Sequence, residues 1–202
     1  MELNNPFYRL PSKESFVRWR DQTPEGFCFA VKVSRFISHL KRLRDPAEHV
    51  ALFLEHAGSL GPKLGPLLVQ LPPTFHEDLP RLEDFLAALP SARRWVIELR
   101  HPSWQVPAVY RSLARHAVAL CVPVGGRVQP DLVTTAPFSY IRMHAGSQAG
   151  GGFAETELRP WAGRIRALAG AGKDVYVYFN NDRGGHAVRD AILLRRMLRL
   201  ER

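Results

Sequence analysis

The chain has 202 residues, 46% of them hydrophobic, and a formal net charge of +9 from 28 Lys and Arg against 19 Asp and Glu. That size and apolar content predict one globular domain over residues 1–202, and short scattered basic groups such as Lys41-Arg42, Arg93-Arg94 and Arg195-Arg196 favour solvated helix faces over a nucleic-acid-binding tail. No apolar run approaches the roughly 18 residues of a membrane span, the start shows no charged-then-apolar signal pattern, and Cys28 and Cys121 lack a CxxC spacing, so a cytoplasmic protein with buried thiols is expected.

In chain order, Glu2 to Tyr8 reads as an opening strand. Ser12 is the expected N-cap of a helix to about Arg20, which Thr23-Pro24-Glu25-Gly26 ends. A strand is expected over residues 27–33. Asp45-Pro46-Ala47-Glu48 combines an N-cap, a first-position proline and a capping-box acid, so a helix should run to about His56. A loop over residues 61–66 follows, then a short buried strand over 67–71 that Pro72-Pro73 stops. Leu79, Leu82, Phe85, Leu86 and Leu89 recur at helical spacing. From Trp95 to Arg100 one face is apolar (Trp95, Ile97, Leu99), while the other (Val96, Glu98, Arg100) turns ionic toward its C-terminal end.

The remaining expected order is a helix over 106–117, a strand over 118–122 and a Gly- and Pro-rich stretch over 123–137. A strand over 138–143, a glycine-rich loop over 146–152 and a helix over 155–168 come next, before a last strand over 174–179 and a closing helix over 186–200. Strands alternating with helices predict a parallel α/β fold. The absence of GxGxxG after any strand turns that expectation from a dinucleotide-binding fold to a TIM-type (β/α) barrel. Seven strands are expected, one fewer than such a barrel closes with.

The same two-residue period picks out one polar face on most strands: Glu2 and Asn4, Lys32, Gln70, Glu98 and Arg100, Arg142 and His144, Tyr178 and Asn180. Burying a lone charge costs several kcal/mol, so these groups must meet one another or line a wet site, and in a barrel both happen at the C-terminal mouth. Glu98 and His144 are the candidate acid/base pair. Arg100, Arg142 and Lys32 are the candidate anion clamp, with Gln70 and Tyr178 beside them. Asn180, Asn181 and Asp182 enter a helix N-terminus that offers N–H groups to a phosphate, and Trp104, Phe7 and Tyr178 offer rings for stacking. The glycines at 150–152 read as a mobile lid or a plain loop. A divalent ion on Glu98, His144 and Asp182, with His39 and His101 near strand ends, is a further expectation that no HxH or HExxH spacing supports. An ion-pair network fixing strand register is the structural alternative for Glu98, Arg100 and Arg142.

Six ordered segments carry a resemblance: Glu2-Leu-Asn-Asn-Pro-Phe-Tyr8, Phe29-Ala-Val-Lys32 with His39, Gly65-Pro-Leu-Leu-Val-Gln-Leu-Pro-Pro73, Glu98-Leu-Arg-His-Pro-Ser-Trp104, Tyr140-Ile-Arg-Met-His144 and Tyr176-Val-Tyr-Phe-Asn-Asn-Asp182. Together they resemble the YecE-like family, domain of unknown function 72, over nearly the whole chain. The resemblance implies a TIM-barrel-type fold. Members of that family carry a first strand with a glycine-rich, Trp-containing motif and a first helix ahead of the segment matching Glu2 to Tyr8. The resemblance therefore implies a barrel lacking its first β/α unit, either truncated or mis-started or covered there by something else, and strand edges left open at residues 2–8 and 174–179 would make the chain less stable or let copies associate.

Two functional classes follow. One is an enzyme acting on a phosphorylated or otherwise anionic small substrate by acid/base chemistry at the barrel mouth. The other is a nucleic-acid-binding or nuclease-type barrel, suggested by the net charge of +9 and aromatic groups near the mouth. An inactive truncated barrel is the bland alternative.

Overall fold

A computed structural model describes residues 1–125 and 132–200 and divides into two compact units, Met1–Leu120 and Cys121–Arg202. Part of the Gly- and Pro-rich stretch expected over 123–137 lies outside the described residues.

The N-terminal unit alternates short parallel strands with helices. In order these are β1 (Glu2–Leu3), α1 (Asn5–Tyr8), α2 (Lys13–Asp21), β2 (Phe29–Lys32), α3 (Pro46–Ala57), β3 (Leu64–Gln70), α4 (Leu79–Ala87), β4 (Trp95–Glu98) and α5 (Pro107–Arg115), followed by the start of β5 (Ala119–Val124). Each strand pairs in parallel with the next, with Leu3 beside Val31, Lys32 beside Leu68, Gln70 beside Glu98 and Ile97 beside Leu120. Such strands are covered on both faces, which explains why every residue of β2 and β4 is buried. Phe29, Val31, Leu67, Val69, Trp95 and Ile97 pack with Phe16, Phe53, Phe85 and Leu113 from the helices in one continuous apolar core.

Three expectations change here. The opening strand stops at Leu3, because Pro6 starts the turn α1 instead and has no N–H to give a ladder. The strand expected at 67–71 begins at Leu64 and contains Pro66. Two steps of β2, Phe29 to Val31, lie opposite three steps of β3, Leu64 to Leu67, and the proline sits in that bulge, where a missing donor is tolerated. Gly65 is needed at the same place, since a Cβ there would stand 2.3 Å from Cys28 Sγ. Finally, α3 starts as expected but without the expected side-chain cap: Asp45 is left-handed (φ 46°) and its carboxylate lies 3.7 Å from Lys41 Nζ. Ser12 does cap α2, accepting the Ser15 N–H at 3.4 Å.

The C-terminal unit holds the rest of β5, then β6 (Phe138–Met143), α6 (Glu155–Gly170), β7 (Asp174–Phe179) and α7 (His186–Leu198). β5, β6 and β7 are again parallel, with Val122 beside Ile141 and Ile141 beside Val177. Val122, Ile141 and Met143 pack with Phe153, Leu158, Ile165 and Leu194 as this unit's core. The strands expected at 138–143 and 174–179 stand at those limits. Among the described residues, no helix is long and apolar enough to cross a membrane.

Candidate functional site

The ends of β2, β3 and β4 carry a bonded series of polar side chains. Period 2 and the parallel register place Lys32, Gln70 and Glu98 on one face of three neighbouring strands. Lys32 Nζ donates to Gln70 Oε1 at 2.9 Å, Gln70 Nε2 donates to Glu98 Oε1 at 2.9 Å, and Arg100 Nε donates to the same Oε1 at 2.7 Å. Glu98 is fully buried, and a carboxylate removed from water in this way depends on such charge-assisted donors. Arg100 differs from its partners because its side chain is 39% exposed. Only its Nε takes part in this bond, so the guanidinium end stays available at the surface.

Two aromatic rings from neighbouring turns close on Lys32. Phe7, on α1, is buried, and Lys32 Nζ lies 3.8 Å from its ring centroid in cation–π contact. His39 meets the same ring edge-on at 5.0 Å. It sits in a π-helical turn, Phe36–Leu40, whose wider spacing is seen in the Lys41 N–H to Phe36 carbonyl bond of 2.8 Å. Beyond that turn, Arg42 and Leu43 are left-handed at φ 48° and 67°, a conformation that costs a side-chain-bearing residue about 1 kcal/mol or more. The complete burial of Leu43 offsets that strain and fixes the turn carrying His39.

Partial burial, then the charges of Lys32, Arg35 and Arg100, push the His39 pKa down to about 4. The imidazole is therefore neutral at neutral pH. Ser38 Oγ lies 2.9 Å from His39 Nδ1 and 3.5 Å from the Ser34 carbonyl. Both contacts are made together when the hydroxyl donates to the Ser34 carbonyl and the ring donates its Nδ1–H to Oγ, which leaves Nε2 as an acceptor. An ammonium, a guanidinium and an imidazole thus gather where Glu98 holds the guanidinium directly and the ammonium through Gln70. That arrangement suits recognition of an anion.

Trp104 does not join this group. It is fully buried, its indole N–H donates to the Phe75 carbonyl at 2.7 Å, and its ring meets Phe75 edge-on. His101 stacks on His76 at 3.9 Å, and its Nδ1 accepts from the Ser103 N–H at 3.2 Å, a loop role in keeping with its position outside the polar face.

In the C-terminal unit the expected site residues divide. Arg142 is buried in β6, Tyr178 lies 5.1 Å from Tyr140 as a tilted ring pair, and the backbone N–H groups of His144 and Asn180 extend the ladder to Val124 and Met143. Asp182 is exposed. Asn181 is buried, and its Nδ2 donates to the Gly151 carbonyl at 2.9 Å and to Asp190 Oδ2 at 2.7 Å. The same Asp190 oxygen accepts the Phe153 N–H at 3.0 Å. Asn181 therefore clamps a loop, which leaves its amide donors committed rather than facing a phosphate.

The glycine-rich loop at 146–152 is itself held, contrary to a mobile lid. Gly146 N–H bonds the Gly151 carbonyl, Gln148 N–H bonds the Gly152 carbonyl, and Ser147 N–H bonds Glu157 Oε1 at 3.0 Å. A Cβ at Gly152 would meet His186 Nδ1 at 2.5 Å. The Ala154 N–H, then that of Ser147 and its side chain, hold Glu157 below the usual carboxylate range. Among the described residues, no three His, Cys, Asp or Glu gather as metal ligands within either unit.

Sequence reasoning did not single out Asp190 or Tyr8. Asp190 was legible as an acid on the apolar side of α7, four and seven residues before Leu194 and Met197. Tyr8 was hidden by the reading of residues 2–8 as a strand.

The model of the family "Protein of unknown function DUF72" matches residues 1–202. UPF0759 protein YecE of Escherichia coli K12 is 39% identical over 105 residues, which is 52% of this chain and 39% of that protein. The chain thus spans about two fifths of that relative's length in the match. UPF0759 protein YunF of Bacillus subtilis is 26% identical over the whole chain and 83% of its own length. A DUF72 crystal structure from Thermotoga maritima superposes with a TM-score of 0.85 at 27% identity, covering 98% of this chain and 84% of that one. One from Enterococcus faecalis gives 0.86 at 23% identity, covering 100% and 85%, a likeness of fold alone. The fold class is the parallel α/β barrel type expected.

Proposed function

From the premise that the chain belongs to the DUF72 family, we propose that it acts as an enzyme on a phosphorylated or otherwise anionic small substrate, using acid/base chemistry at the C-terminal ends of β2, β3 and β4. The observation that supports this reading is the bonded series from Lys32 through Gln70 and Glu98 to Arg100, ending in a guanidinium open to solvent. A purely structural ion pair needs no exposed cation and no second cation beside it.

Arg100 and Lys32 receive the anion, and Glu98 holds Arg100 in place. As the bound anion offsets the neighbouring positive charges, the imidazole regains basicity and Nε2 takes a proton from solvent, while Nδ1–H stays bonded to the Ser38 hydroxyl. His39 would then supply that proton to the leaving oxygen of the ester as water attacks phosphorus, and Glu98, the second acid/base group, would take the proton of that water.

The test replaces Glu98 with Gln, which keeps an acceptor for Arg100 and Gln70 but removes the charge. Phosphorus NMR on a panel of phosphate monoesters should show turnover by the wild type and none by the variant, while calorimetry shows inorganic phosphate binding retained or tightened. Equal turnover in E98Q, or no phosphate binding by the wild type, contradicts the reading.

A further inference from the structure

The cation cluster has an aromatic neighbour that an anion alone does not use. Tyr8 ends α1 and is 71% exposed, the largest value among the exposed large apolar side chains of the described residues. A single exposed ring is ordinary on a protein surface, so exposure carries no argument by itself. Its position does. Tyr8 meets Phe7 edge-on at 5.0 Å and 88°, and Phe7 is the ring on which Lys32 Nζ sits at 3.8 Å and against which His39 packs. The Tyr8 ring is thus no further from the Lys32 ammonium than those two distances laid end to end. A ring joined to phosphate through an ester oxygen, or through a ribose, bridges such a span.

Charge points the same way. Lys32, Arg35 and Arg100 all act on His39, while Glu98 is the carboxylate bonded within this group. The excess is positive and favours a dianion, and the adjoining ring is held by a buried neighbour at little entropic cost. We infer that the site takes a phosphate monoester of a planar ring, with the phosphate on Arg100 and Lys32 and the ring stacked on Tyr8. This deepens the proposed function and rests on its anion site.

Calorimetric titration with inorganic phosphate, cyclohexyl phosphate, phenyl phosphate and adenosine monophosphate separates the two. Phenyl phosphate should bind about tenfold more tightly than inorganic phosphate, as expected for one ring stacked on an aromatic side chain, and cyclohexyl phosphate should gain less. In Tyr8→Ala the ratio of phenyl phosphate to phosphate affinity should fall to near one, and in Tyr8→Phe it should persist. A preference for adenosine monophosphate over phenyl phosphate identifies a nucleotide, and the reverse identifies a small aryl ester; either order supports the inference. Phosphate binding with no aryl preference, or with a preference unchanged in Tyr8→Ala, overturns the inference alone. Absence of phosphate binding overturns the anion site and the inference with it.

Discussion

In the N-terminal unit, Gln70 and Glu98 face each other across paired strands and accept hydrogen bonds from Lys32 and Arg100. In the C-terminal unit, Asn181 and Asp190 turn similar groups inward, onto each other and onto the backbone of Gly151 and Phe153. Both groups were read from the sequence as site residues or lay beside such residues. The difference is where the last donor ends. Arg100 ends 39% exposed with its terminal nitrogens outside the bond to Glu98, whereas the Asn181 amide donors are used within the fold. Polar residues at strand ends mark a candidate site here only where donor capacity is left over at the surface.

The contrast can be broken most strongly in the C-terminal unit. Asp190→Ala removes the acceptor of both the Phe153 N–H and the Asn181 amide in a buried place, which should destabilise by roughly 2–3 kcal/mol. Urea denaturation should record that loss, and hydrogen exchange should rise over residues 146–153, with phosphate affinity as in the wild type. A loss of phosphate binding in this variant would mean that the loop belongs to the site.

A smaller effect sharpens the N-terminal side. His39 has a folded-state pKa of about 4 against an ordinary 6.5, so between those values the unfolded chain binds a proton that the folded chain refuses. Its contribution to stability is therefore complete above about pH 6.5 and is lost as pH falls toward 4. Solvent screening at this half-buried position keeps the effect modest. Histidine NMR titration should place the His39 midpoint near 4 and move it upward when phosphate is added. His39→Asn should flatten that part of the pH–stability curve, and a midpoint near 6.5 in the free protein would remove the cation cluster from the account.

Much of this was legible in the sequence because one period governs a strand. Lys32, Gln70 and Glu98 were assigned to one face by alternation, and parallel pairing then brings that face together across neighbouring strands. β6 and β7 were equally clear, since apolar and aromatic residues fill them between turn signals. What alternation does not show is how a chain leaves a strand. Phe7 reaches Lys32 because Pro6 turns the backbone into α1, and His39 reaches Phe7 because a π-helical turn places it there. Pro66 looked like a loop residue because its lost hydrogen bond is absorbed by a bulge made with β2, a partner far away in sequence. Asn181 looked like a phosphate ligand because its commitment depends on Asp190, an acid nine residues later on α7.

Titration of inorganic phosphate into the wild type and Arg100→Ala, followed by calorimetry at low salt and neutral pH, tests the central claim most directly. Removing one charge-assisted contact should weaken binding by about 10-fold to 100-fold, in line with 1.5–3 kcal/mol for such a bond. Binding of equal strength in both proteins would contradict the claim that the strand ends of the N-terminal unit form an anion site.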